Sequence, residues 1–218
     1  MPIIDHFGFL APYYDRVIGA RQPESLMQRL RLPVEGALLD AGGGTGRVSQ
    51  TLIGKAKPVV IADASVKMLL QAAGKDSLRP VCSKSEHLPF PEASFERVLM
   101  VDALHHVLDQ ALTLAELWRE LKPGGRLVIE EPDIHSMSVK VVALFEKIAL
   151  MRSHFLSPER IAGMVSFPEA RLSIEREGYT AWVVVDKLLD GQALAPYRPK
   201  TVNRSKRLLS DLVSESRE

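Results

Sequence analysis

A cluster of glycines directly behind a short apolar run constrains this chain more than any other feature: Leu38-Leu39-Asp40-Ala41-Gly42-Gly43-Gly44-Thr45-Gly46. Glycine has no Cβ, so the backbone there can turn sharply and lie close against a ligand. The helix expected next, over residues 46–55, points its first N–H groups at the same space. A second apolar run, Val59-Val60-Ile61-Ala62, ends on Asp63. An acidic side chain about 20 residues beyond such a turn, at the end of the next strand, reaches ribose hydroxyls in a doubly wound α/β sheet. The corner is shaped for a nucleoside-containing ligand.

Strands and helices alternate around it. Residues 35–40, 58–62, 79–83, 95–101 and 126–130 read as strands; 46–55, 65–74 and 112–121 read as helices, with Ser65 as an N-cap. Leu88-Pro89-Phe90-Pro91 makes a turn, because proline cannot pair inside a central strand. Lys122-Pro123-Gly124-Gly125 makes another. This alternation predicts an α/β fold: a Rossmann-like, doubly wound, mostly parallel sheet with helices on both faces and right-handed crossovers. Residues 5–31 read as a helical cap interrupted near Pro12. Beyond Pro132, helices are expected over 139–151, 158–165 and 168–177, the last two opened by proline, and a strand over 179–185. No pattern marks a seventh strand.

Composition bounds the rest. The 218 residues suit one domain: a cap over 1–31, a core over 35–132, an insert and last strand over 133–185, and a tail over 186–218. Lys and Arg number 28 against 27 Asp and Glu, which argues against a whole-protein field for polyanions. Arg198, Lys200, Arg204, Lys206 and Arg207 make the tail locally basic, as a solvated tail commonly is. One cysteine, Cys82, precludes an internal disulfide and most thiolate metal sites, and no metal is expected. No leader pattern and no membrane-length apolar run are visible, so a cytoplasmic protein, monomeric or homodimeric, is expected.

The ordered motifs LLDAGGGTG, IADASVKML, SEHLPFPEASFERV, DALHHV and LWRELKPGGRLVIEEP resemble class I S-adenosylmethionine (SAM) methyltransferases, and within them the UbiE-like group of ubiquinone/menaquinone C-methyltransferases and its small-molecule relatives. The resemblance covers residues 9–132 and implies SAM-dependent C- or O-methylation of a small-molecule acceptor, with S-adenosylhomocysteine as product. It implies that Gly42 and Gly44 give backbone access to the amino acid part of SAM, and that Asp40 orients the loop or the ammonium. Asp63 would accept ribose hydroxyls, Ala64 and Met68 would flank adenine, and Asp102 would meet the methionyl part. Ser85 and Glu86 would contribute backbone contacts; Lys84 stands where the family carries an acidic residue, which removes a side-chain bond to adenine. Tyr14, in Tyr13-Tyr14-Asp15, resembles the segment that closes over the cofactor, where an aromatic face attracts a sulfonium.

Methyl transfer needs alignment and exclusion of water more than covalent chemistry. Oxygen and carbon acids also need a base. His105 and His106 are the candidates, with Glu131 at the end of the fifth strand orienting His105; the alternative is ordinary packing between strand and helix. Three other classes remain to be weighed. A nucleic-acid methyltransferase lacks support from charge and from an [ND]-P-P-[FYW] segment. A non-catalytic SAM-binding protein of the same fold is compatible with Lys84 and the missing seventh strand. A dinucleotide-dependent oxidoreductase fails on the glycine register, because G-x-G-x-x-G counted from Gly42 ends on Arg47.

Overall fold

Two apolar runs buried on both faces set the centre of the molecule. In this computed structural model, residues 23–136 and 153–189 and the backbone of 201–203 are described. β1 (Leu38–Ala41) is buried throughout, and β2 (Val59–Asp63) everywhere but its last residue. Leu39, Ala41, Val60 and Ala62 enter one core, and Leu38, Val59 and Ile61 enter the other. Period-two alternation with no polar face is what a parallel sheet covered on both sides requires.

Around these strands the chain runs α1 (Pro23–Leu30), β1, α2 (Arg47–Thr51), β2, α3 (Val66–Ala73) and β3 (Leu78–Cys82). It continues through β4 (Phe95–Val101), a 3₁₀ turn (Leu104–His106), α4 (Gln110–Glu120) and β5 (Leu121–Pro132). α5 (Pro158–Met164), β6 (Ala170–Glu177), β7 (Thr180–Lys187) and the short β8 (Thr201–Asn203) complete the described elements. The sheet order is β3-β2-β1-β4-β5-β7-β6-β8, with the first five strands parallel and β7 antiparallel to both β5 and β6. Leucines of α1 and Leu69 and Ala72 of α3 close one core; Leu114, Leu117 and Trp118 of α4, with Ile161 and Ala162 of α5, close the other.

Three helix starts follow directly from side chains. Ser65, Asp109 and Ser157 each accept a backbone N–H two or three residues inside the helix, at Met68, Leu112 and Arg160. Pro158 then occupies the first turn of α5, where its missing N–H costs nothing.

One expectation is overturned. Residues 170–177 form strand β6 rather than a helix, and with β7 they supply the antiparallel hairpin that completes the seven-stranded order. Ala170 and Ile174 are buried while Arg171 and Glu177 are exposed, a period-two pattern that the helix-like opening at Pro168 concealed. Gly178, at φ 61°, makes the turn. β5 is also longer than residues 126–130: Leu121 pairs with Phe95 before the ladder shifts register, so the Lys122–Gly125 turn lies inside the strand as a bulge. The expected cap over 5–22, the helix over 139–151 and the basic tail lie outside the described residues.

Candidate functional site

The order of the strands reverses between β1 and β4, and the crevice at their carboxyl ends is where ligands bind in such sheets. Four chain segments converge there: the glycine turn after β1, Asp63 ending β2, Asp102 after β4, and Glu131 near the end of β5.

The glycines divide by what surrounds them. A Cβ on Gly42 would lie 2.5 Å from that of Ala103, and one on Gly43 would strike Asp40 and Ile61. Those two positions are closed by packing. At Gly44, φ +54°, the nearest atom to a Cβ would be Asp63 Oδ2 at 3.9 Å. Among the described residues Gly44 therefore faces open space, where backbone is accessible.

Asp63 holds this turn in place. Its Oδ2 accepts the Gly44 N–H at 2.9 Å and its Oδ1 the Ser65 N–H at 2.7 Å. Burial raises its pKa, while those two bonds act to lower it. Each oxygen keeps a second lone pair, so the carboxylate can also accept two hydroxyl donors. Asp40 lies beneath the turn, 1 % exposed, with Oδ2 accepting the Ser49 hydroxyl at 2.6 Å. Burial lifts its pKa to about 7, aided by Asp63 and opposed by Ser49 and Arg47. Of the two roles weighed for Asp40, this geometry suits holding the loop. Ala64 is exposed and Met68 buried. Ser85 and Glu86 are buried, Lys84 is exposed, and Glu86 Oε1 accepts the Leu108 and Asp109 N–H groups at 2.8 and 3.3 Å. Tyr14 lies outside the described residues. Asp102 adopts φ +50°, a conformation non-glycine residues rarely take, while its N–H donates to the Glu130 carbonyl.

On the other side of the crevice, side chains replace backbone. Glu131 Oε1 accepts the Leu104 N–H at 2.8 Å, and Oε2 lies 2.5 Å from His105 Nδ1. His105 is 4 % exposed; Phe155 stacks on its ring at 4.2 Å and His106 tilts against it at 4.0 Å. Burial and the neighbouring His105 depress the His106 pKa to about 3, so His106 is a poor base at neutral pH and His105 is the better candidate. Gln110 ties the layer together by donating to the carbonyls of Leu104 and His154, while the His154 N–H donates to the His105 carbonyl at 2.7 Å.

A second imidazole–carboxylate pair was not anticipated. Asp133 Oδ1 accepts the His135 N–H at 3.0 Å and lies 2.8 Å from His135 Nδ1, while Oδ2 accepts Arg176 Nε at 3.0 Å. Arg176 in turn pairs with Glu159 at the start of α5. The readable signal was the Asp-x-His spacing immediately after a strand; its Arg176 partner comes from the hairpin misread as a helix. Among the described residues no cluster fit for a metal ion occurs, and no helix is long and apolar enough to cross a membrane.

With this geometry in view, the chain can be set beside known proteins. A family model described as a methyltransferase domain matches residues 39–129. That match takes in less than half of the chain, and over those residues the chain is similar to a methyltransferase domain. It is similar to the ubiquinone/menaquinone biosynthesis C-methyltransferases UbiE of Haemophilus ducreyi, at 37% identity over 106 residues (43% of this chain, 40% of that one), and of Vibrio cholerae, at 33% over 123 residues (49% and 46%). The matched stretch spans less than half the length of those curated relatives. Among solved structures it resembles a SAM-dependent methyltransferase from Thermotoga maritima, with TM-score 0.68 and 23% identity over 83% of this chain and 98% of that one. A geranyl diphosphate methyltransferase bound to its diphosphate substrate and sinefungin gives TM-score 0.63 at 17% identity, over 77% and 78%. The order β3-β2-β1-β4-β5-β7-β6 with β7 antiparallel is the one typical of the class I methyltransferase fold.

Proposed function

We propose that this chain transfers a methyl group from SAM to a small-molecule acceptor, at carbon or oxygen. The observation that carries this reading is the open face of Gly44 joined by a hydrogen bond to the carboxylate of Asp63. Backbone at the glycine turn would receive the amino acid part of the cofactor, and Asp63 the ribose. Ala64 and Met68 would border the adenine, with Ser85 and Glu86 offering backbone on the same side. Asp102 would meet the methionyl part and Tyr14 would close over it. Bound there, SAM supplies an activated methyl group that needs only an aligned nucleophile.

The chain's own contribution on the acceptor side is His105 and Glu131. With Glu131 accepting at Nδ1, the hydrogen-bond network assigns the proton to that nitrogen and leaves Nε2 as the proton-accepting atom. Phe155 and His106 cover the ring and keep water from it, which favours a dry transfer.

Incubation with methyl-labelled SAM and separate small-molecule and RNA fractions tests the acceptor class. Label is expected in the low-molecular-weight products. Label confined to RNA would overturn it, and no transfer to either, with SAM bound, would favour a non-catalytic role.

A further inference from the structure

We propose that His135 is a second acid–base residue of this site, taking a proton directly from an acidic O–H of the acceptor, with Asp133 as its positioning residue. This rests on the methyl-transfer reading and deepens it. β5 runs parallel to β1 and β4, so Asp133 and His135, just past its end, lie on the same edge as the glycine turn and Asp102. At about 4.8 Å per strand, β5 stands roughly 10 Å from β1, about the offset needed between a cofactor seated over β1 and β2 and the molecule it acts on.

The wiring fixes which nitrogen reacts. Burial favours a neutral Asp133, but the His135 N–H groups and the Arg176 guanidinium outweigh it and hold the acid below its ordinary range. An ionised carboxylate only accepts, so Nδ1 must donate, and Nε2 carries the lone pair. Arg176 is itself anchored by Glu159 from α5, so the pair is clamped from β6 and α5 as well as from its own loop. Asp133, Arg176 and Glu159 are the charged groups facing it among the described residues. The His135 side chain is nonetheless 59 % exposed. An exposed ring held by two hydrogen bonds to a buried, ion-paired carboxylate is preorganised for contact with a ligand. His105, by comparison, is enclosed against Phe155 and His106.

A neutral imidazole nitrogen can take a proton only from an acceptor whose O–H is itself acidic. In the step, the acceptor's O–H bond breaks, its proton passes to Nε2, and the electron pair stays on oxygen, which then bonds the methyl group as the donor's S–CH3 bond breaks and S-adenosylhomocysteine leaves. The exposed ring returns the proton to water.

The test uses the whole chain with two probes, 4-methylphenol, neutral at the assay pH of 8.5, and 4-nitrophenol, already ionised there. His135→Asn and Asp133→Asn should lower turnover of 4-methylphenol by about 100-fold and of 4-nitrophenol by less than threefold. Affinity for S-adenosylhomocysteine, measured by calorimetry, should not change. Nitrogen NMR of the histidine rings should show His135 with its proton on Nδ1, and Asp133→Asn should release that preference. Equal losses on both phenols, no loss on either, or a ring protonated on Nε2 would overturn the assignment. So would wild-type protein that binds S-adenosylhomocysteine yet methylates neither phenol. Wild-type protein that fails to bind S-adenosylhomocysteine would overturn the methyl-transfer reading itself.

Discussion

The two sides of the crevice are built from different materials. Under β1 and β2 the surface is backbone: a glycine turn, one carboxylate bonded to two main-chain N–H groups, and little side-chain bulk above Gly44. Past β4 and β5 the surface is side chains: two imidazoles on two carboxylates, a stacked phenylalanine, and a guanidinium clamp. A backbone site suits a ligand that never changes, because its donors are fixed by the fold itself. A side-chain site can be re-equipped for another molecule without disturbing that fold. On the proposed reading, the first region would hold the cofactor and the second whatever the methyl group is moved to.

This division can be broken at Gly44. Gly44→Val meets almost nothing but its own unfavourable φ, which costs about 1–2 kcal/mol, so the protein should fold with a melting temperature lower by about 3–6 °C. Its affinity for S-adenosylhomocysteine should nevertheless fall more than about 100-fold, since the new side chain fills the cradle. Gly42→Val should lose stability instead, because its Cβ would drive into Ala103. Calorimetry and thermal melts on both variants check the contrast; matching losses of stability and affinity in both would mean that Gly44 is packed like Gly42.

Glu131→Ala sharpens it from the other side. The change strands the Leu104 N–H and His105 Nδ1 in a buried layer, which should cost about 2–4 kcal/mol in denaturant unfolding. Cofactor affinity should stay within threefold. An affinity loss as large as that at Gly44 would show that the two regions act as one.

A third contrast concerns pH. Asp40 has its pKa lifted by burial from 3.8 to about 7, so between those values the folded state holds a proton that the unfolded chain releases. Stability must therefore fall as pH rises from about 4 to 7, by an amount on the order of 4 kcal/mol from this group. Asp40→Asn keeps an acceptor for Ser49 and removes that slope. Glu120, also lifted to about 7 by burial, tilts stability the same way and cancels in the difference between variant and wild type. An unchanged slope from unfolding curves at pH 4, 5.5 and 7 would contradict this account of Asp40.

The same division explains what could be read from the sequence. Glycine spacing and apolar runs register directly in the chain, so the corner at Gly42–Gly44, the strand ending at Asp63 and the N-cap at Ser65 were legible before any coordinates. The His105–Glu131 contact was foreseeable only as the ends of two adjacent strands. The Asp133–Arg176 pair was missed because it depends on β6 lying antiparallel to β7, and residues 168–177 were read as helix. Ile174 and Ala170 carried the strand period, but Pro168 offered an equally local reason to start a helix. Long-range side-chain pairs leave no spacing in the sequence to count.

Titration of the wild-type chain and Asp63→Ala with S-adenosylhomocysteine bears most directly on all of this. One saturable site in the micromolar range, weakened about 100-fold when the carboxylate is removed, is the predicted result. Heat of dilution alone at millimolar ligand, or equal binding by both proteins, would contradict it.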